Sequence, residues 1–230
     1  MDRIGNPINV YLEVGKSRTF ASAVNWPGWS RSGRDEAAAL QALLVYGSRY
    51  ARALRGARLG FRAPSAVTEF VVVERLQGNS TTDFGAPDVP ASDDPNPIGE
   101  SELLRFQAIL KASWKTLDAA VREAADRELR KGPRGGGREL NQIVGHVLES
   151  DGAYLARLGV RIKFAGSANP RQELPRTRQA ILDGLAAAAA GGSPAPGPRG
   201  GVRWTGRRFA RRVAWHALDH AWEIEDRLDR

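Results

Sequence analysis

The spacing of apolar residues changes near residue 100, and this change divides the chain into two structural classes. Before it, short segments alternate apolar and polar side chains, as half-buried strands do. After it, apolar residues recur at three- and four-residue steps, which is typical of amphipathic helices. Residues 77–100 are rich in Asp, Pro, Gly and Ser, which favour turns. We therefore predict an α+β protein with domains at residues 1–76 and 101–230, joined by a linker at residues 77–100.

The first domain has the pattern of a ββαβ unit. Residues 8–24 form a predicted β-hairpin around a short turn that begins at Gly15. A helix is predicted at residues 35–54, with two acidic residues at its positive N-terminal end. The last predicted strand covers residues 67–76, and its run of three valines, residues 71–73, is typical of a strand buried on both faces.

The second domain contains four predicted helices. They cover residues 101–128, 139–158, 176–190 and the segment from 205 to the end. Ser101 and Thr205 are the expected N-caps of the first and last helices. The simplest assembly of four such helices is a four-helix bundle. The connection between the second and third helices, residues 159–174, is long enough to cross from one end of a bundle to the other.

All three histidines of the chain lie in this helical half. His216 and His220 are four residues apart on the last predicted helix, so they lie on one face of it. His146 lies in the middle of the second helix, which could pack against the last. Three imidazoles with an open coordination position suit zinc, nickel, cobalt or iron. The alternative is a polar stripe, or core histidines bonded to backbone carbonyls.

Positive charge is concentrated in the same half. The chain has a net charge of +8; residues 1–99 hold 11 basic and 10 acidic residues, whereas residues 100–230 hold 23 and 16. Six arginines with no acid among them precede His216: Arg199, Arg203, Arg207, Arg208, Arg211 and Arg212. They suit nucleic acid or a small anionic ligand, and equally a solvated helix start. Nucleic acid is the weaker functional interpretation, because no stacking motif or DNA-reading signature accompanies them.

The composition also limits chemistry and location. Without cysteine, the chain has no disulfide, no thiolate nucleophile of its own and no cysteine–zinc site. The longest apolar run, residues 185–190, is far too short to span a bilayer, and the first seven residues lack the apolar core of a signal peptide. We expect a cytoplasmic protein without a membrane partner.

The phrase FASAVNWPGWSRSGRDEAAALQAL resembles the HicB-like fold of antitoxin N-terminal domains. In that fold a strand, a Pro-Gly turn, a glycine–acid step and a Glu-Ala-Ala helix start follow one another in the same order. The resemblance covers roughly residues 8–75. It implies a HicB-like first domain, and it raises a protein-interaction role as an alternative to catalysis.

The helical half resembles the DinB-like superfamily over about residues 100–230. The phrases that carry the resemblance are IVGHVLESDGAYLARLG and RRVAWHALDHAWEIEDR. It implies an up-down-down-up bundle in which His146, His216 and His220 hold a divalent metal, usually zinc or nickel. It also implies a thiol-dependent S-transferase or isomerase that uses mycothiol, bacillithiol or glutathione with a small-molecule substrate, and a homodimer.

Three further side chains are candidate catalytic residues. Glu149 and Glu223 each follow a histidine by three residues, so each could bond a ligand imidazole or act as a general base. Arg212 precedes a histidine by four residues and could hold a substrate carboxylate. Because the chain has no thiol, the nucleophile would be an external thiol or water, and a metal-dependent hydrolase stays open beside the transferase. A non-catalytic interaction module with a structural metal is the remaining alternative.

Overall fold

The chain divides into two compact units, Met1–Asp94 and Pro95–Arg230. The computed structural model describes residues 7–131, 137–164, 170–191 and 203–228. Of the six arginines predicted to form a basic stretch, Arg199 lies outside the described residues. Among the described helices, none combines the length and apolar composition needed to cross a membrane.

The first unit is a four-stranded mixed sheet with one long helix. Its elements are β1 (Ile8–Val14), β2 (Thr19–Ala23), β3 (Ser30–Gly33), α1 (Glu36–Leu54), β4 (Phe70–Gln77) and the short α2 (Ser80–Phe84). The strand order is β3-β2-β1-β4, in which β4 runs parallel to β1 and the other neighbours are antiparallel. The predicted hairpin and helix are confirmed, and Asp35 caps α1 by accepting a hydrogen bond from the Ala38 amide at 2.8 Å.

Two predictions about the strands are wrong. The unit has three strands before its helix, because β3 pairs with β2 through its backbone although its sequence has no apolar alternation. The valine run of β4 is buried on one face only: Val71 and Val73 are 43% and 51% exposed. Alternate side chains of β4 point to opposite faces, and one of those faces is open.

The segment predicted as a linker contains secondary structure, because α2 lies within it. Asn79 caps α2 by accepting hydrogen bonds from the amides of Thr81 and Thr82. Asn, Ser and Thr serve both turns and helix N-caps, so composition alone indicated only turns. Residues as far as Asp94 belong to the first unit.

Glu13 on β1 anchors this segment to the sheet. Its fully buried carboxylate accepts hydrogen bonds from the Thr82 hydroxyl and from the amides of Asp88 and Val89, at 2.9 and 3.1 Å for the two amides. Burial raises the pKa of Glu13, although these hydrogen bonds act in the opposite direction. A buried carboxylate with several donors holds the irregular segment in place.

The second unit is a bundle of four helices, as predicted. They are α3 (Glu100–Glu123), α4 (Leu140–Leu158), α5 (Leu174–Gly191) and α6 (Gly206–Arg227). Thr205 caps α6 through a hydrogen bond from the Arg208 amide, as expected. Ser101 is not the cap of α3: the helix begins one residue earlier, and Gly99 holds the N-cap position. Glycine is tolerated there because the N-cap residue has non-helical backbone angles.

Contacts at the ends of α3 and α6 show that these helices run parallel. Arg207 at the start of α6 pairs with Glu102 at the start of α3, with a nitrogen–oxygen distance of 2.6 Å. At the opposite end, Arg130 follows α3 and donates to the carbonyl of Asp226 in the last turn of α6, also at 2.6 Å. The first and last helices of the bundle therefore share one direction.

The two middle helices run the other way. Near the end of α4, the Tyr154 hydroxyl accepts a hydrogen bond from Arg212 near the start of α6. Leu185, in the second half of α5, packs against Gly206 at the start of α6. The bundle is therefore up-down-down-up, and the long α4–α5 connection makes the crossover that this order requires.

Substitution of Gly33, the last residue of β3, tests the contact between the sheet and α1. A Cβ added to Gly33 would lie 2.4 Å from backbone atoms of both Ala38 and Ala39. Backbone cannot yield as a flexible side chain does, so Gly33→Ala should lower the free energy of unfolding by about 1–3 kcal/mol. Urea denaturation of the full chain would measure it.

Gly56→Ala is the matched control, since no atom lies within 4 Å of a Cβ at that position. It should leave the urea midpoint unchanged. Equal midpoints for the two alanine variants would contradict the close approach of β3 to α1.

Candidate metal centre

The three histidines meet between α4 and α6. His216 Nε2 lies 3.2 Å from His146 Nε2 and 3.2 Å from His220 Nε2. One nitrogen from each ring lies within 4.8 Å of the other two. The rings are steeply inclined to one another, with interplanar angles of 69° to 87°. The antiparallel pairing of α4 with α6 thus brings distant parts of the sequence to one point.

The triad is buried on one side and more accessible on the other. His216 and His220 are only 5% and 8% exposed, because α6 is buried along most of its length. His146 on α4 is half-buried. Access from solvent is therefore greatest on the α4 side of the triad.

Glu223 fixes the tautomer of His220. Its carboxylate oxygen lies 2.7 Å from His220 Nδ1, and a carboxylate can only accept a hydrogen bond. Nδ1 must therefore carry the hydrogen, which leaves the lone pair of neutral His220 on Nε2. That nitrogen is the one that faces the other two imidazoles.

Hydrogen bonds alone do not account for this arrangement. A neutral imidazole has one N–H and one lone pair, so His216 Nε2 could satisfy only one of its two neighbours at 3.2 Å. Three converging lone pairs instead fit a cation, and nitrogen donors of this kind suit zinc and other borderline metals. The donor set present here therefore fits a divalent transition metal.

The surroundings of His146 and His216 favour the neutral form of each ring. Burial is the main cause that lowers the pKa of His146, and the charge of Arg138 adds to it. Burial also lowers the pKa of His216 well below its usual value, with contributions from the other two histidines and from Arg212. Neutral imidazoles are the form that binds metals, so these two pKa shifts favour metal binding by His146 and His216.

A second hydrogen-bonded layer supports Glu223. Burial alone would raise the pKa of Glu223, but the hydrogen bonds of His220 and Arg227 outweigh it and the pKa is lowered. Arg227 donates to Glu223 Oε1 at 2.9 Å and to the carbonyls of Arg130 and Arg138 at 2.8 Å each. The sequence analysis did not identify Arg227, although its position four residues after Glu223 places both on one helix face.

A sequence model of the DinB superfamily matches residues 109–224, about half of the chain. The chain belongs to the DinB superfamily. The match covers most of the bundle and includes all three histidines. It does not reach the first unit, whose likeness to HicB stays a prediction. No curated protein and no solved structure matches the chain.

The other two predicted catalytic residues of this DinB protein lie at the edge of the triad. Glu149 is exposed on α4, where its charge acts on His146; within the described residues it makes no hydrogen bond to the three imidazoles. Arg212 Nε donates to the hydroxyl of Tyr154 at 3.2 Å. The Tyr154 ring in turn meets His216 edge to face, with centroids 5.7 Å apart. The sequence analysis did not identify Tyr154.

Asp151 is a third residue that the sequence analysis missed. It lies on α4 and is 2% exposed. Burial raises its pKa to about 7, and the charge of Arg178 opposes that rise. The signal in the sequence is an acid at the core spacing, four residues after Val147 and four before Leu155. The DinB bundle thus buries a carboxyl group that is largely protonated just below neutral pH.

Replacing this acid should change how stability depends on pH. The Asp151 carboxyl ionises near 3.8 in an unfolded chain and near 7 in the fold, so the unfolded state loses its proton first. The stability that the neutral carboxyl contributes is complete below about pH 4 and is lost as the pH rises toward about 7. Asp151→Asn cannot ionise, so it should gain stability over the wild type across that range, by a few kcal/mol.

Urea denaturation of both proteins at several pH values measures this difference. All other titrating groups are shared, so the difference between the two curves isolates Asp151. Parallel curves would contradict a buried carboxyl with a raised pKa.

Proposed function

We propose that the bundle binds one divalent metal ion, zinc or nickel, through His146, His216 and His220, and that it acts as a thiol-dependent S-transferase or isomerase. The convergence of three Nε2 atoms carries the proposal. Among the residues that the structure describes, this cluster has three members and no fourth. Catalytic sites keep one coordination position for water or substrate, and three protein ligands leave that position open.

An ion held in this way would lower the pKa of a thiol or a water molecule bound at its open coordination position. The chain has no cysteine, so a low-molecular-weight thiol such as mycothiol, bacillithiol or glutathione would be the nucleophile. Glu223 holds His220 in the tautomer that presents Nε2. In this proposal Glu149, which is exposed and whose charge acts on His146, accepts the proton of an incoming thiol. The thiolate sulfur then forms a bond to an electrophilic carbon of the substrate, and the bond from that carbon to the leaving group breaks, so that the leaving group departs with the electron pair.

The same centre has two alternative functions, as a hydrolase site or as a structural metal site. A hydrolase would use water in place of the thiol. A structural metal in an interaction module would have a closed shell of four protein ligands, and the three-member cluster favours an open site over that alternative. We also propose that the protein is cytoplasmic and forms a homodimer.

For the first unit we propose a HicB-like domain that binds a protein partner. The order of features supports it: the turn at Pro27 and Gly28 lies between β2 and β3, and Gly33 packs on the start of α1. Asp35 then caps that helix. These are the features, in the same order, on which the resemblance depends.

Elemental analysis of the purified full chain tests metal binding. The wild type should carry about one zinc, nickel or similar ion per chain, and His146→Ala should lose it, because two imidazoles bind a metal far more weakly than three. Asn141→Ala, at an exposed position on the same helix, should keep the metal. A wild-type protein that stays metal-free after reconstitution would overturn the proposal.

The role of Glu223 can be tested separately. Glu223→Gln preserves shape but removes the negative charge beside His220, so metal affinity should fall about 10- to 100-fold. Competition with a chelator measures the affinity. Asp226→Asn removes an exposed carboxylate in the same stretch of α6 and should have no effect. Equal losses in both variants would point to a general charge effect instead of an orienting hydrogen bond.

A further inference from the structure

We infer that the thiol used at this centre carries a carboxylate, and that Arg212, positioned by Tyr154, binds that carboxylate beside the histidine triad. The inference rests on the proposed metal and thiol chemistry and adds the chemical class of the thiol. It is carried by the arrangement of cations and aromatic rings next to the triad.

Cations and ligands alternate with helical spacing on α6. Arg208, Arg212, His216 and His220 follow one another at four-residue intervals, so they lie along one face of the helix. Four residues advance about 6 Å along the helix axis. A carboxylate held at Arg212 is therefore a short carbon chain away from a sulfur atom at the triad. Both arginines are half-buried, which strengthens their attraction for an anion.

Aromatic side chains hold the Arg212 guanidinium in place. Tyr154 accepts its Nε hydrogen bond at 3.2 Å, and the guanidinium carbon lies 4.9 Å from the centroid of the Trp215 ring. Tyr154 itself is fixed between two rings: it stacks on Trp204 at 5.4 Å and meets His216 edge to face at 5.7 Å. The Tyr154 side chain therefore connects the Arg212 guanidinium to the histidine triad.

This geometry suits recognition of a carboxylate. Stacking uses the flat face of a guanidinium, whereas its N–H donors lie in the plane at its edge. Donors arranged in that way bind the two oxygens of a carboxylate in parallel, which a point charge cannot do. Pre-organisation by Tyr154 and Trp215 reduces the entropy lost when the anion binds.

Two further arginines add positive charge near the triad. Arg208 lies over the ring of Trp204 at 4.7 Å and adds a second cation one turn from Arg212. Arg138 is close enough for its charge to act on both His146 and His216. The carboxylates of Glu149 and Glu223 oppose this positive charge at His146, so the attraction for an anion is centred on the Arg212 side of the triad.

Two thiols of matched length test the inference. The full-length protein is loaded with cobalt(II), and 3-mercaptopropionate or 3-mercaptopropanol is titrated while the sulfur-to-cobalt charge-transfer band is followed. The wild type should bind the carboxylate thiol about tenfold more tightly, as expected for a charge-assisted hydrogen-bonded pair. Arg212→Gln should abolish that preference and leave the affinity for the neutral thiol unchanged.

Arg211→Gln is the control, because residue 211 points to a different side of α6 and its loss removes the same charge. It should keep the preference. If Arg212→Gln does not fold, Tyr154→Phe replaces it: removal of the hydroxyl that positions Arg212 should reduce the preference in part.

The outcomes separate the two proposals. If cobalt binds but neither thiol produces the band in the wild type, the proposed thiol chemistry fails and the inference falls with it. If both thiols bind equally well, or if the preference persists in Arg212→Gln, the thiol chemistry stands and the carboxylate site is overturned.

Discussion

The packing of α6 between α3 and α4 is the constraint on which the metal centre depends. Two imidazoles of α6 lie on one face because of helical spacing alone, but the third must come from α4 across a helix interface. Polar contacts at both ends of α6, to Glu102 at one end and Arg130 at the other, hold it in register with α3. Register errors of one residue would rotate the helix by about 100° and take His216 and His220 away from His146.

The sequence predicted the parts of this protein that follow from periodicity. The four bundle helices, the Thr205 cap and the shared face of His216 and His220 depend on local spacing, and all were obtained from it. That His146 could join them was raised by its place on a second helix, and the resemblance then named it as a ligand, since no local rule specifies which helices become neighbours. The strand β3 was missed because its stability lies in backbone pairing with β2, which leaves no pattern in its side chains.

The unpredicted site residues share a physical cause. Arg227 and Tyr154 act through hydrogen bonds to groups far away in the sequence, and such partners become visible only after the helices pack. Asp151 was overlooked because an acid within an apolar stripe is usually solvated, whereas here it is buried. The spacing of the histidines in the sequence indicates that they are ligands. The residues that orient them or surround them show almost no such pattern.

The bonds of Arg227 extend beyond the metal centre. One guanidinium holds the carboxylate that orients His220 and also the carbonyls of Arg130 and Arg138, two residues of the α3–α4 connection. By thermodynamic reciprocity, a metal that favours this arrangement also favours the bonds of Arg227 to these two carbonyls, and the converse holds equally. Substitutions that disturb either carbonyl contact would therefore change metal affinity while every ligand stays in place.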